Sequence, residues 1–425
     1  MDRVMFYCQH CVGFGHLVRS SAIVRALARN FSVMFVTGGP SVTGFELPSD
    51  VDIVRLPEIQ TDAEFECLQA CDSEVSLEKT QALRKDILIR AFDSFGPDAL
   101  ITELYPFGRK RFAFELIPLL DRVRRKGRTA VVSSVRDVLV AKKDEGRHEA
   151  RVCKILNKYY HLVLVHGDER LQRLEETFPR VGDLNCPVAY TGYVVRAENR
   201  AAGSARLENP QPTIIVSVGG GKYPEGHLLM ESVIRAAGYL EARIPHRFHI
   251  FTGPFIPPSI YEHLESLSNT TRNVTLDRFI PDLADKLRLA DLSISLGGYN
   301  TIMDILCAGV RALILPVTSN DDTEQTVRAT KLKKLGVLPE VLRPDALAPE
   351  PLASAILEAL KTKPGKINLN LDGAENSSSL LKEFLQSRSM ADAERSHHAL
   401  AIGGDTGSGL YSRQLTNSGA LPRAE

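Results

Sequence analysis

The sequence predicts an α/β protein made of two tandem domains, each built around a mostly parallel sheet covered by helices. Three observations predict it. Short β-branched runs alternate with stretches of helical periodicity through the first half of the chain. A small, polar, proline-containing segment then interrupts the rhythm, and the same alternation restarts behind it. Glycine and polar residues gather at the strand exits of both halves, where open parallel sheets bind ligands. A chain of 425 residues is also too long for a single core, given roughly 100–200 residues per domain.

The first strand is "VMFYC", followed by "LVRSSAIVRALARN", whose apolar residues recur at helical spacing. "FSVMFVTGG" and "VDIVRLP" follow as strands, then a polar helical region, then the strands "DALITE", "TAVVSSV" and "HLVLVHG". The segment "YTGYVVRAENRAAGSARLENPQP", with Pro210 and Pro212, reads as a linker. Behind it stand "TIIVSVGGG", "HRFHIFTG", "NVTLDRF", "LSISLGG" and "RALILPV", separated by helical or loop sequence. From about residue 387 the chain turns to Ser, Gly, Ala and scattered charge, the composition of a disordered tail. The expected division is residues 1–197, 198–386 and 387–425.

Composition narrows the function. The 52 basic and 52 acidic side chains cancel, so no overall field favours a nucleic-acid partner, and none is expected. No apolar run approaches the ~20 residues of a membrane span. No signal peptide is visible and the seven cysteines show no disulfide framework, which sets the expectation of a cytoplasmic protein. "CQHC" (Cys8 to Cys11) is half a zinc site at most, because the other close pair, Cys67 and Cys71, has unsuitable spacing. The basic run "DRVRRKGR" (residues 121–128) reads as a solvated helix end, or as peripheral contact with anionic lipid on the inner face of a membrane.

Five strand exits carry candidate chemistry. "VGFGHLVR" places Gly13 and Gly15 in a tight turn ahead of a helix, with His16 next and the third glycine of a dinucleotide fingerprint missing. His16 is there a helix cap, a phosphate contact or a base. "VSVGGGKYPEG" offers the amides of Gly219, Gly220 and Gly221, and the charge of Lys222, to an anion without being a Walker loop. "LGGYNTIMD" ends a strand at Gly298 and opens a helix with Asn300 and Thr301; Asp304 on it complements the helix dipole or accepts from a ribose diol. "TSNDDTEQ" holds the acids Asp321, Asp322 and Glu324 and the amide Gln325, a set better suited to a polyhydroxylated ligand than to a metal, so no metal is expected. "ITELYPFGRKRF" sets Glu103 at a strand's carboxyl end, ahead of Arg109, Lys110 and Arg111; the alternative is an exposed basic turn paired to Glu103. Ser134, Arg136, Asp137, His166 and Asp168 lie at further exits, with no chemistry assigned to any one of them.

These blocks carry a resemblance. "LGGYNTIMDILCAGVRALILPV…TEQTVRATKLKKLGV" resembles the sugar-nucleotide domain of MurG-type transferases, glycosyltransferase family 28. "YCQHCVGFGHLVRSSAIVRAL", "TELYPFGRKRFAFELIPLL", "SVRDVLV", "VHGD" and "YTGYV" are similar to the recurring blocks of a predicted bacterial glycosyltransferase family, over roughly residues 3 to 385. The resemblance implies a GT-B fold: two facing Rossmann-like domains with a cleft between them. It puts Phe279 and Ile280 against a uracil, Asp304 in place of a glutamate on the ribose, and Asn300, Thr301, Glu324 and Gln325 on the donor sugar. Gly13, Gly15, Gly219, Gly220, Gly221, Lys222 and Gly298 would meet the donor phosphates; Arg109, Arg111 and Arg136 would face the acceptor. Two departures stand out: Gly221 replaces a serine and Glu324 a glutamine.

The function so implied is transfer from a nucleotide-diphosphate sugar, expected to be a UDP-sugar, with inversion and without metal or other cofactor. His16 and Glu103 are the catalytic candidates. The acceptor would be a glycan, a lipid-linked or a small molecule, in cell-envelope or polysaccharide synthesis. Two alternatives remain at this point: a nucleotide-sugar hydrolase, since "GFGHLVR" is similar to the loop of the UDP-sugar hydrolase of pseudaminic acid synthesis, and a non-catalytic nucleotide-sugar-binding protein.

Overall fold

Two parallel sheets organise the chain. The computed structural model describes residues 1–10, 15–42, 46, 48–61, 67–139, 144–195, 211–278, 283–319, 323–363 and 368–403. The first half runs β1 (Arg3–Cys8), α1 (Gly15–Ala28), β2 (Ser32–Thr37), β3 (Asp52–Arg55), β4 (Ile59–Thr61), β5 (Leu68–Ala70), α2 (Leu77–Phe95), β6 (Ala99–Glu103), α3 (Ala113–Lys126), β7 (Ala130–Arg136), α4 (Glu145–Tyr159), β8 (Leu162–His166) and β9 (Val188–Tyr190). The second half runs β10 (Thr213–Ser217), α5 (Pro224–Glu241), β11 (Arg247–Phe251), α6 (Pro258–Ser268), β12 (Val274–Asp277), α7 (Leu283–Leu289), β13 (Leu292–Leu296), α8 (Tyr299–Ala308), β14 (Arg311–Leu315), α9 (Glu324–Lys334), β15 (Glu340–Val341), α10 (Pro349–Lys361) and α11 (Gly373–Gly403). Every strand read from the sequence is present.

The first sheet has the order β3-β2-β1-β6-β7-β8-β9 and the second β12-β11-β10-β13-β14-β15. All their pairings are parallel, while β4 and β5 form a separate antiparallel pair. Parallel strands buried on both faces need continuous apolar runs, and Val4 to Cys8 of β1 are wholly buried. Leu88, Phe92, Leu116, Leu119 and Leu156 fill the first core; Leu229, Val233, Leu352 and Ile356 fill the second. Strand order reverses beside β1 in one sheet and beside β10 in the other. A crevice opens at such reversals, outside the carboxyl ends of the strands.

Three features differ from the sequence reading. The two- and three-residue strands β4, β5, β9 and β15 are too short to show a period. Both sheets lie in one compact unit that ends at Leu381, while the described chain from Lys382, the end of α11, belongs to a second. The boundary at 198 is crossed because residues 368–373 return to the first half: Tyr193 N donates to Asn370 O at 2.7 Å, and Gly373 N to Tyr193 O at 3.0 Å. Thirdly, α11 continues through Gly403, beyond the tail boundary set at 387 by composition. Ala, Glu and Arg in that stretch are good helix formers, which a Ser and Gly count hides. Among the described residues no helix is long and apolar enough to cross a membrane.

Candidate active site

The site starts from strand register. β1 pairs with β6, Tyr7 opposite Thr102, so the exits of the two strands are neighbours at the reversal of the sheet. One exit begins α1 with His16; the other ends on Glu103. His16 Nδ1 lies 2.6 Å from Glu103 Oε1, and Arg19 Nη2 donates to the same oxygen at 2.5 Å. His16 keeps 17% of its side chain exposed, while Glu103 is fully buried.

Burial would raise the Glu103 carboxyl, but His16, Arg19 and Arg109 outweigh it and hold it at about 2. Burial pushes the His16 imidazole down to about 3, against the pull of Glu103 and with help from Arg109 and Arg136. At neutral pH the pair is therefore a carboxylate and a neutral ring. A carboxylate only accepts, so the ring proton sits on Nδ1 and the lone pair on Nε2. The buried Cys8 thiol, pushed up to about 12 chiefly by burial, stays protonated and donates to His16 O at 3.7 Å.

The loop after Glu103 is held rigidly. Leu104 and Arg109 both take positive φ, 62° and 55°. Such conformations persist only where the surroundings over-determine them. Here Leu104 N donates to Ser134 O at 2.8 Å, Thr102 Oγ1 and Ser133 Oγ donate to Tyr105 O at 3.1 and 2.8 Å, and Arg151 donates to Pro106 O at 3.0 Å. Arg109 is half-buried near the pair, whereas Arg111 is exposed on the following turn. Of the two sequence readings of Glu103, the partner is Arg19 of α1 together with His16.

The second half meets this pair through α8. Asn300 Nδ2 donates to Gly15 O at 3.0 Å, joining the N-terminal turns of α8 and α1. Tyr299 OH donates to His166 O at 3.1 Å and accepts from Val194 N at 2.9 Å. The Arg19 and Arg328 guanidiniums each pack on the Tyr299 ring, 5.3 Å from its centroid. Gly298 caps α8 without a side-chain bond, and a Cβ there would meet nothing within 4 Å. Space and the first-turn N–H groups of α8 thus lie together at a helix N-terminus, the arrangement that binds anions. Thr301 sits half-buried in the same turn.

In the glycine triplet, Gly219 and Gly221 have φ of 64° and 83°, and a Cβ on Gly221 would lie 2.3 Å from Thr252 O. That explains the first departure: this backbone has no room for the serine. Gly220 O accepts from Phe255 N at 2.9 Å, and Lys222 Nζ stands 4.9 Å from the Phe255 ring.

Glu324 is engaged by arginines of the protein itself. It is 2% exposed, and its carboxylate is taken up by Arg136 and by Arg328, whose Nη2 donates at 2.8 Å. Arg328 also donates from Nε and Nη2 to the two oxygens of Asp137, at 3.0 and 2.7 Å. Despite burial, these arginines keep both Glu324 and Asp137 below the ordinary carboxylate range. Two of the carboxylate's acceptor directions are thus taken by these arginines, and Arg136 meets Glu324 through one of its nitrogens. Gln325 Oε1 accepts from Val317 N at 3.1 Å, supporting the strand exit. Asp304 is 9% exposed and lines a small cleft with Val18, Arg19 and Ala22 of α1. Gly13, Phe279, Ile280, Asp321 and Asp322 lie outside the described residues.

Arg19, Tyr299 and Arg328 were not singled out from sequence. A signal existed: Arg19 follows His16 by three positions and Arg328 follows Glu324 by four, so each pair shares a helix face.

Comparison with known proteins bears on the fold and on the family of the second half. Residues 216–383 match the glycosyltransferase family 28 C-terminal domain. An uncharacterized glycosyltransferase of Methanosarcina acetivorans is 26% identical over 172 residues, 40% of this chain and 41% of that protein. One from Methanosarcina mazei is 25% identical over 174 residues, 41% of each. The matched stretch thus spans about two fifths of these curated relatives. The calicheamicin glycosyltransferase superposes with a TM-score of 0.54 at 18% identity, covering 96% of this chain and 100% of that one. MurG of Acinetobacter baumannii gives 0.54 at 16% identity, covering 90% and 100%. The chain therefore has the GT-B fold of these glycosyltransferases, with a C-terminal half similar to the family 28 domain.

Proposed function

We propose that the protein is a glycosyltransferase that takes a sugar from a nucleotide-diphosphate donor, a UDP-sugar, and passes it to an acceptor hydroxyl. The observation that carries the reading is the His16–Glu103 pair: a neutral imidazole with Nε2 available, beside the glycine-bounded N-terminus of α8. Nε2 takes the acceptor proton, the acceptor oxygen attacks the anomeric carbon, and the bond from that carbon to the phosphate oxygen breaks. The diphosphate leaves with the bonding electrons. Amides of Gly219 to Gly221, the N-terminus of α8 and Lys222 are the groups that stabilise its charge. Attack opposite the leaving group inverts the anomeric centre, and these groups supply stabilisation without a metal.

Arrival of the donor also tunes the base. A diphosphate beside His16 adds negative charge that raises the proton affinity of the ring. The imidazole is thereby a stronger base with donor bound than in the ligand-free protein.

The test is a panel of nucleotide sugars, following release of free nucleoside diphosphate with and without an extract supplying acceptors. Release that depends on the extract supports transfer. Equal release in water alone replaces transfer with hydrolysis, and binding without release replaces it with sensing. Absence of any shift in melting temperature across the panel removes the donor site itself.

A further inference from the structure

Arg19 links the two halves of the molecule in a way that the transfer reading does not use. It lies one turn beyond His16 on α1, so both side chains leave the same helix face and meet one oxygen, Glu103 Oε1, at 2.5 and 2.6 Å. Among the described residues the other oxygen, Oε2, is buried without a hydrogen-bond partner. Within that set, the carboxylate is oriented through Oε1.

What holds Arg19 comes from the second half. Its guanidinium packs on Tyr299, the first residue of α8. The ring is fixed in turn by the hydroxyl bonds to His166 O and Val194 N, and by Arg328 against it. Arg328 is anchored to Asp137 and Glu324. A planar guanidinium resting on an aromatic face keeps its N–H fork in one plane. From this seat on Tyr299, Nη2 reaches Glu103 Oε1.

We propose that Arg19 is a positioning residue: seated on Tyr299, it orients the Glu103 carboxylate so that His16 keeps its proton on Nδ1 and its lone pair on Nε2. The value of that tautomer to a base rests on the transfer reading; the chain of contacts does not. α8 carries both Tyr299 and the turn beside the donor site, so its placement would set the state of the base.

The charged and titratable groups facing His16 are Glu103 at the end of β6, Arg109 in the loop behind it, Arg136 at the end of β7, Cys8 of β1 and Arg19 itself. Arg109 and Arg136 favour a neutral ring with or without Arg19. The effect of Arg19 is thus read in which nitrogen holds the proton, not in whether the ring is charged.

The experiment uses the full chain with 15N-labelled histidine and no substrate, His16 being assigned through His16→Asn. The wild type is expected to show one tautomer at neutral pH, protonated on Nδ1. Arg19→Met and Tyr299→Leu should each move the His16 nitrogens toward the averaged shifts of a two-tautomer mixture, and Tyr299→Phe, which keeps the ring, should not. A wild-type signature in either Arg19→Met or Tyr299→Leu overturns the proposal. If Arg19→Met does not fold, Arg19→Lys, which keeps the charge but loses the planar fork, is read by the same criterion. In turnover, Arg19→Met should lower kcat by about tenfold or more with donor KM within about threefold. A wild type inactive with every donor would sink the transfer reading and leave the tautomer result standing by itself.

Discussion

Arg328 and Asp137 form a two-pronged ion pair, buried on both sides, between α9 of the second half and the exit of β7 in the first. Removing one partner of such a pair leaves a buried charge uncompensated, at a cost of about 3–5 kcal/mol. Arg328→Met should therefore lower unfolding free energy by that order, and pairing it with Asp137→Leu should recover part of the loss. Denaturant titration of the single and double variants measures both. A neutral Arg328→Met would show that the halves are held together by other contacts.

Glu324 stands in the same network, and this separates two roles for it. If its work is to neutralise Arg136 and Arg328, Glu324→Gln should cost about 2 kcal/mol or more in stability and leave the ranking of donor sugars unchanged. Competition among nucleotide sugars, run beside denaturation, reads the two effects. A reordered donor preference at unchanged stability would return Glu324 to the sugar site.

Under the proposed transfer reaction, the His16–Glu103 pair predicts a kinetic signature. His16→Ala should reduce turnover by about 100- to 10,000-fold while leaving nucleoside-diphosphate affinity within about threefold. Glu103→Gln should act in the same direction, since an amide no longer holds the ring proton on Nδ1 as an anion does. Steady-state kinetics with calorimetric UDP binding would show it; undiminished kcat in His16→Ala removes the ring as base.

Gly221 offers a backbone test. Serine, the residue of the resembling family, would need φ near 83° and a Cβ 2.3 Å from Thr252 O. Gly221→Ser is thus expected to cost about 1–3 kcal/mol and to weaken UDP binding by displacing the amides of the turn. Melting curves with and without UDP would reveal both losses. Unaltered values in both would mean the turn relaxes freely.

His166 predicts the acid side of the stability curve. Its ring is buried between Ser134 Oγ and Thr191 Oγ1, at 2.7 and 2.9 Å, and burial lowers it from 6.5 to about 3. A histidine kept neutral in the fold binds its proton only on unfolding. Its contribution is full above pH 6.5 and is lost as pH falls from there toward 3. The slope is about 1.4 kcal/mol per pH unit for each such group. Denaturation between pH 7.5 and 5 should show this decline, and His166→Asn should remove one proton's worth of it. An unchanged slope in that variant would mean that His166 charges within the fold.

Much of this protein was legible along the chain because its determinants are local. Apolar runs set the strands of both sheets, and the rule that parallel sheets bind at their carboxyl ends points to His16, Glu103 and the glycine turns. What sequence could not supply was partnership. Glu103 was readable as a carboxylate at a strand exit, but not as the acceptor for His16 and Arg19, because β1 and β6 are neighbours only in the folded sheet. Glu324 was readable as an acid near a helix start, but not as one spent on arginines from two different elements. Hydrogen bonds and ion pairs between residues far apart in sequence depend on how sheets and helices pack, and a linear pattern carries no record of which charge will meet which. The sequence alone determined the fold and the candidates; tertiary packing decided which of them are joined at the site and which are committed to holding the two halves together.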